Sequence, residues 1–281
     1  AMPAVFVVLW ATGFIGAKLG LPYAEPMTFL LIRFAIVVVI LGVAAWVTSA
    51  PWPASPAEIG HIAVAGILLH GLQLGGVFAA IHQGVGAGVT ALVVGIQPVL
   101  VAVAAGFVLR ERVTAIQWLG FALGLIGVVL VVQDKISVGQ GTGLGYGFAV
   151  LGLIGLTAGT LYQKRFSAHA DLRTGNIIQF VAAGLAVLPL ALMFETMEVR
   201  WTPAFVFALA WLCVPLSVGA ISLLYLLIRR GAASRVSSLF YLVPPCAAVM
   251  AYALFGEALN AVMLLGMACA AGGVALVNWR R

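Results

Sequence analysis

Few residues of this chain can do chemistry, and they stand singly inside long apolar runs. His70 and Gln73 are three residues apart and so share one face of a helix. Arg33 lies about six residues inside another apolar run. Trp10 and Phe14 are four apart, and Trp211, Tyr225 and Tyr241 lie further along. Such rings offer flat apolar faces with a polar edge, suited to a ring, an alkyl chain or a cation. Gln97 precedes Pro98, and Pro244 and Pro245 interrupt a later run. No G-x-S-x-G or H-E-x-x-H occurs, and His70 has no acid near it in sequence. Cys213, Cys246 and Cys269 lack metal-ligand spacing and read as small buried hydrophobes. The chemistry within reach is therefore non-covalent, the binding and passage of a small solute, and no catalytic residue, metal or cofactor is expected.

The elements that position these residues are membrane spans. Of 281 residues, 64% are hydrophobic and 8% charged, against about 25% charged in soluble domains. A span needs about 20 mostly apolar residues. Ten candidates cover about 3–20, 27–48, 58–83, 86–108, 114–132, 143–166, 174–194, 203–229, 232–255 and 260–279. Pro22 to Pro26, Pro51-Trp52-Pro53, Gly84 to Gly88, Arg110 to Arg112 and Gly139 to Gly147 fall between them. No connection is long enough for a soluble domain, and no G-x-x-x-x-G-K-[ST] occurs. The fold class expected is all-α, a polytopic membrane protein, with the lipid bilayer as its solvent.

The net charge of +6 would suggest nucleic acid in a soluble protein, but here the basic residues sit at span ends, so no nucleic-acid partner is expected. One side receives Arg110, Arg112, Lys164, Arg165, Arg173, Arg229, Arg230, Arg235, Arg280 and Arg281; the other receives Lys18, Lys135 and Arg200. That asymmetry predicts both termini in the cytoplasm. No cleavable signal peptide is evident at Ala1-Met2-Pro3.

The chain repeats itself at an offset of 146 residues. Pro98 falls on Pro244, Glu111 on Glu257, Gly120 on Gly266 and Gly127 on Gly273. The same offset puts Gly13 on Gly159, Lys18 on Lys164, Thr28 on Thr174 and Phe34 on Phe180. Two five-span units are predicted, 3–132 and 143–279. An odd-span unit must insert its second copy upside down, which suits alternating access around a midplane cavity.

Pro98 and Pro244-Pro245 fall near the middle of spans four and nine. Proline frees carbonyls one turn earlier, near Val94, Phe240 and Tyr241. In hydrocarbon those carbonyls need a cavity or polar neighbours, so matched breaks point to a central site; the alternative is a packing kink. His70 and Gln73 either line a pathway or make interhelical hydrogen bonds. Arg33 either snorkels to Glu25 or lines the outer cavity. Lys18 and Glu257 fall on one side, Lys164 and Glu111 on the other; these pairs read as alternately formed gates or as static helix-end pairs. The Gly-x-x-x-Gly runs at 16–20, 71–75, 120–124 and 155–159 read as close helix contacts. No acidic residue lies at mid-span, which leaves coupling through His70, facilitated diffusion or exchange.

These features resemble the drug/metabolite transporter superfamily, specifically its EamA-type bacterial members. The resemblance is carried by Leu9-Trp10-Ala11-Thr12-Gly13-Phe14, Leu31-Ile32-Arg33-Phe34, Gln97-Pro98, Leu109-Arg110-Glu111-Arg112 and Gln117-Trp118-Leu119-Gly120, and in the second half by Pro244, Phe255-Gly256-Glu257 and Gly266. It implies ten helices around a central cavity and export of amino acids or related metabolites from the cytoplasm, and it allows a homodimer. The residues themselves favour a zwitterionic, partly apolar small-molecule substrate. They leave open quaternary amines, nucleotide or phosphorylated sugars, or a non-carrier channel or scaffold.

Overall fold

A computed structural model describes residues 2–133, 141–255 and 259–279, except the side chains of Phe14, Ala251, Leu254 and Phe255. Helices α1 (Met2–Gly20) and α2 (Pro26–Val47) open the chain. Then follow α3 (Pro56–His82), α4 (Ala87–Val108) and α5 (Ala115–Val132). The second half holds α6 (Gly143–Phe166), α7 (Leu172–Phe194) and α8 (Pro203–Arg230). The ninth helix, α9, runs Ala233–Ser238, a 3₁₀ turn at Leu239–Leu242, then Val243–Phe255; α10 is Ala261–Asn278. Nine of these, all but α9, are each long and apolar enough to cross a membrane among the described residues. Val39, Phe107 and Leu185 are exposed, and a bilayer is the solvent that accepts such an exterior.

Local chemistry sets the helix ends. Pro26, Pro56 and Pro203 open three helices, where their missing N–H costs nothing. Thr114 and Gln117 form a reciprocal capping box at α5. Asp171 caps α7, and its hydrogen bonds to Arg173 hold its carboxyl below the usual carboxylate range. Asn260 caps α10.

The two halves are inverted relative to each other, and hydrogen bonds at both ends of one helix pair show it. Glu195, just past the C-terminus of α7, accepts from the main-chain N–H of Met27 and of Thr28, each at 2.7 Å, at the N-terminus of α2. At the other end, Thr174 near the start of α7 donates to the Pro51 carbonyl, just past α2, at 2.7 Å. So α2 and α7, which the repeat makes equivalents, run antiparallel. The same holds for α5 and α10. Gly120 faces Gly273, and Gly127 faces Gly266 and Ala270, so closely that a Cβ on any of the three glycines Gly120, Gly127 and Gly273 would enter main-chain atoms.

The helices of each half are irregular at matching places. In α4 the helix breaks at Gly95-Ile96, just before Pro98; in α9 the 3₁₀ turn precedes Pro244. In α3 a π-helical turn occupies Ile67–Leu72, and in α8 another occupies Leu212–Ala220 around Pro215. Such turns reaim side chains and often mark functional positions.

Candidate functional site

A cavity of about 40 Å3 lies among α1, α2, α3 and α8, in the half of the bundle away from the arginine-rich end. Trp10, Ala17, Arg33, Gln73 and Ile221 are among its walls. Its size admits about three water molecules. A second opening of about 460 Å3 lies at the outer ends of α2, α3, α6 and α7, between Glu25, His82, Phe194 and Glu195. It is larger but peripheral, and both its carboxylates are already engaged. The buried polar groups point to the small central cavity instead.

Arg33 is the charged residue on the cavity wall. It is 1% exposed, seven residues past the Pro26 start of α2. Its Nε donates to Ser217 Oγ at 3.0 Å, a hydroxyl carried by the π-helical turn of α8. Its Nη1 has no hydrogen-bond partner. The snorkelling alternative is overturned, because Glu25 instead accepts from Thr196, through the main-chain N–H and the hydroxyl, each at 2.7 Å. A buried, incompletely bonded guanidinium is costly unless an anion completes it.

His70 sits in the π-helical turn of α3, fully buried and stacked on Phe180 with ring centroids 4.2 Å apart. Its Nε2 lies 3.2 Å from the Tyr225 hydroxyl. That hydroxyl donates to Gln179 Oε1. Gln179 Nε2 donates to Gln163 Oε1 at 2.9 Å, and Gln163 Nε2 donates to the Ser167 carbonyl at 3.2 Å. This file runs from mid-bundle to the arginine-rich end of α6. It exists because Gly66 lets the α7 main chain at Gln179 press against α3; any Cβ at Gly66 would collide there.

Trp10 joins the site to the break in α9. Its ring packs edge-on against Phe240 at 5.1 Å, and Phe240 belongs to the 3₁₀ turn before Pro244. Of the residues expected to bind substrate, the structure thus gathers Trp10, Arg33 and Gln73 at the cavity; His70 and Tyr225 are buried together but are not among its walls. The others lie elsewhere. Gln97 donates to Ser237 at 3.2 Å beside the Pro98 break. Tyr241 is buried over Gly124, and a Cβ there would meet its ring. Trp211 donates to Thr12 at 2.8 Å as a strut between α8 and α1. The side chain of Phe14 lies outside the described residues.

Glu111 and Lys164, expected as an alternately formed gate or a static helix-end pair, do not pair in this conformation. Glu111 accepts from the main-chain N–H of Ala233 at 2.7 Å and of Ser234 at 3.2 Å, capping α9. Lys164 Nζ donates to the carbonyls of Ile228 at 2.6 Å and Gly231 at 2.9 Å, at the end of α8. Each meets the unpaired main-chain groups that every helix terminus leaves. Both therefore clasp the α8–α9 connection, Glu111 from the α4–α5 loop and Lys164 from α6. Lys18 is exposed at the far end of α1, and its expected partner Glu257 lies outside the described residues.

Sequence reasoning did not single out Ser217, Gln179 or Gln163. One signal was present: Gln179 stands 146 residues after Arg33, the offset of the repeat.

The EamA-like transporter family matches residues 2–133 and again 143–279. The chain is similar to a "Probable amino-acid metabolite efflux pump" of Escherichia coli K12, 23% identical over 98% of this chain and 94% of the relative. It is also similar to a "Probable terminal-alkyne amino-acid exporter" of Streptantibioticus cattleyicolor, 28% identical over 98% and 91%. A solved crystal structure, 18% identical, shares the fold with a TM-score of 0.82 over 99% of this chain and 95% of its own.

Proposed function

Since the chain belongs to the EamA-like transporter family, we propose that it carries amino acids or closely related metabolites out across the cytoplasmic membrane by alternating access. The observation that carries this reading is Arg33. A buried guanidinium with an unpartnered Nη1 at a central cavity is built to hold an anion, and a carboxylate fits its geometry. Trp10 and the aliphatic walls accept an apolar side chain. Export as the direction, and amino acids as the class, draw support from the names of the relatives.

The cavity of about 40 Å3 is far below the ~300 Å3 at which small-molecule sites begin. This conformation is therefore a closed one, and substrate needs an opened one. The Gln163–Gln179–Tyr225–His70 file seals the arginine-rich half, which we assign to the cytoplasmic side with both termini. Loading from the cytoplasm requires that file to part.

The test is a thermal-stability screen of the purified protein against amino acids, sugars, nucleosides and quaternary amines. A ligand that binds the folded state raises the melting temperature by mass action. Amino acids are expected to stabilise it; stabilisation by quaternary amines alone would overturn the reading.

A further inference from the structure

The hydrogen-bonded file has a direction, and one main-chain atom fixes it. The Ser167 carbonyl can only accept, so Gln163 turns its Nε2 toward it and its Oε1 toward Gln179. That Oε1 can only accept, so Gln179 presents Nε2 to it and Oε1 to Tyr225. The Tyr225 hydroxyl has one hydrogen and gives it to Gln179. Toward His70 it offers only lone pairs, and His70 Nε2 at 3.2 Å must therefore be the donor. The imidazole carries its hydrogen on Nε2, and its Nδ1 is a bare acceptor. Nδ1 has no partner, although His70 is fully buried.

The position of this acceptor is informative. The cavity residues of α3 are Gln73, Leu74, Val77 and Phe78, one stripe of the helix. His70 lies in the π-helical turn that precedes this stripe, three residues before Gln73, and is not itself a wall of the cavity. Its ring is clamped between Phe180 and the edge of Phe34, whose centroid is 6.4 Å away. Phe34 adjoins Arg33 in sequence. Two buried atoms of opposite sense thus lack partners: a cationic donor, Arg33 Nη1, on the cavity wall, and a neutral acceptor, His70 Nδ1, one turn of α3 beyond that wall.

We propose that His70 Nδ1 accepts a hydrogen bond from the α-ammonium group of a substrate whose carboxylate is held by Arg33, so that the site selects compounds with a free α-amino group. The inference rests on the amino-acid reading above. The Arg33 charge repels an ammonium that arrives without a carboxylate, so simple amines are rejected. A desamino acid leaves Nδ1 unfilled. Once the file has re-formed behind the substrate, Tyr225, Gln179 and Gln163 are positioning residues that keep the acceptor bare.

The experiment measures binding of three probes to the full-length protein in nanodiscs: the best-bound proteinogenic L-amino acid, its desamino acid and its carboxamide. Wild type is expected to bind the amino acid about tenfold or more tighter than the desamino acid, as befits a hydrogen bond to a charged group. H70F should abolish that preference while keeping the preference over the carboxamide, which reports on Arg33. Y225F keeps the imidazole but frees its hydrogen to move to Nδ1, so it should reduce the preference several-fold even if H70F does not fold. Equal wild-type affinity for amino acid and desamino acid would overturn this inference alone. Retention of the full preference in H70F or in Y225F would do the same. Binding of no amino acid at all would overturn the amino-acid reading with it.

Discussion

Arg33 and Gln179, equivalent positions 146 residues apart in the repeat, are both buried where the second helix of one half crosses the π-helical turn in the third helix of the other. Arg33 is bonded to Ser217 within the α8 turn, and Gln179 reaches His70 of the α3 turn through Tyr225. One crossing is charged and faces a cavity; the other is neutral and hydrogen-bonded. On the proposed function, these different contents make one crossing the recognition side and the other the sealing side. The predictions below follow from that division.

Removing the Arg33 charge should remove carboxylate recognition. R33Q retains a donor for Ser217 but offers no cation, and a hydrogen bond to a charged group is worth about 1.5–3 kcal/mol. Affinity for an amino acid should fall about tenfold to a hundredfold. Titration of the variant by calorimetry checks this; unchanged affinity would remove Arg33 from the site.

Cutting the file should loosen the closed side. Q179L leaves the Tyr225 hydroxyl and the Gln163 carbonyl oxygen without their partners. Each unsatisfied buried group costs about 1–3 kcal/mol. The melting temperature should fall, and a cysteine placed in the arginine-rich half beside position 163 should label faster than in the parent. Slower labelling would contradict the seal.

Charge reversal should not be mutually corrected at Glu111 and Lys164. E111K leaves the N-terminus of α9 without its acceptor, and K164E puts an anion at the carbonyl end of α8. Each should be destabilising by about 1 kcal/mol or more. The double reversal should be about as unstable as the sum, because no ion pair is restored. Recovery of the parental melting temperature in E111K/K164E would show that the two residues pair in another state.

The α5–α10 contact should tolerate no side chain. A Cβ at Gly127 would meet main-chain atoms of Gly266 and Ala270, so G127V forces the helices apart. Overpacking of this kind costs about 1–3 kcal/mol. The outward-facing Gly272, which would meet only the end of Leu123, provides the comparison: G272A should melt close to the parent.

Much of the fold was legible before any coordinates. Apolar run lengths and the proline and glycine punctuation placed the ten helices, and Pro98 and Pro244 marked where α4 and α9 break. The inverted repeat was readable because identities such as Gly120 with Gly266 and Gly127 with Gly273 sit where backbones touch. The site was only partly legible. Arg33 stood out because charge inside a span is expensive, but its partner Ser217 is 184 residues away and an ordinary residue in sequence. The π-helical turns have no period that a helical pattern reveals, although Pro215 lies in one of them. Glu111 and Lys164 were paired by charge alone; unsatisfied helix ends competed for both and prevailed.

The most direct test of the carrier reading is counterflow in proteoliposomes preloaded with an unlabelled amino acid. Wild-type protein is predicted to drive transient, saturable accumulation of the labelled amino acid, and R33Q to give none. Wild-type liposomes that behave like protein-free ones, or R33Q liposomes that behave like wild type, would contradict it.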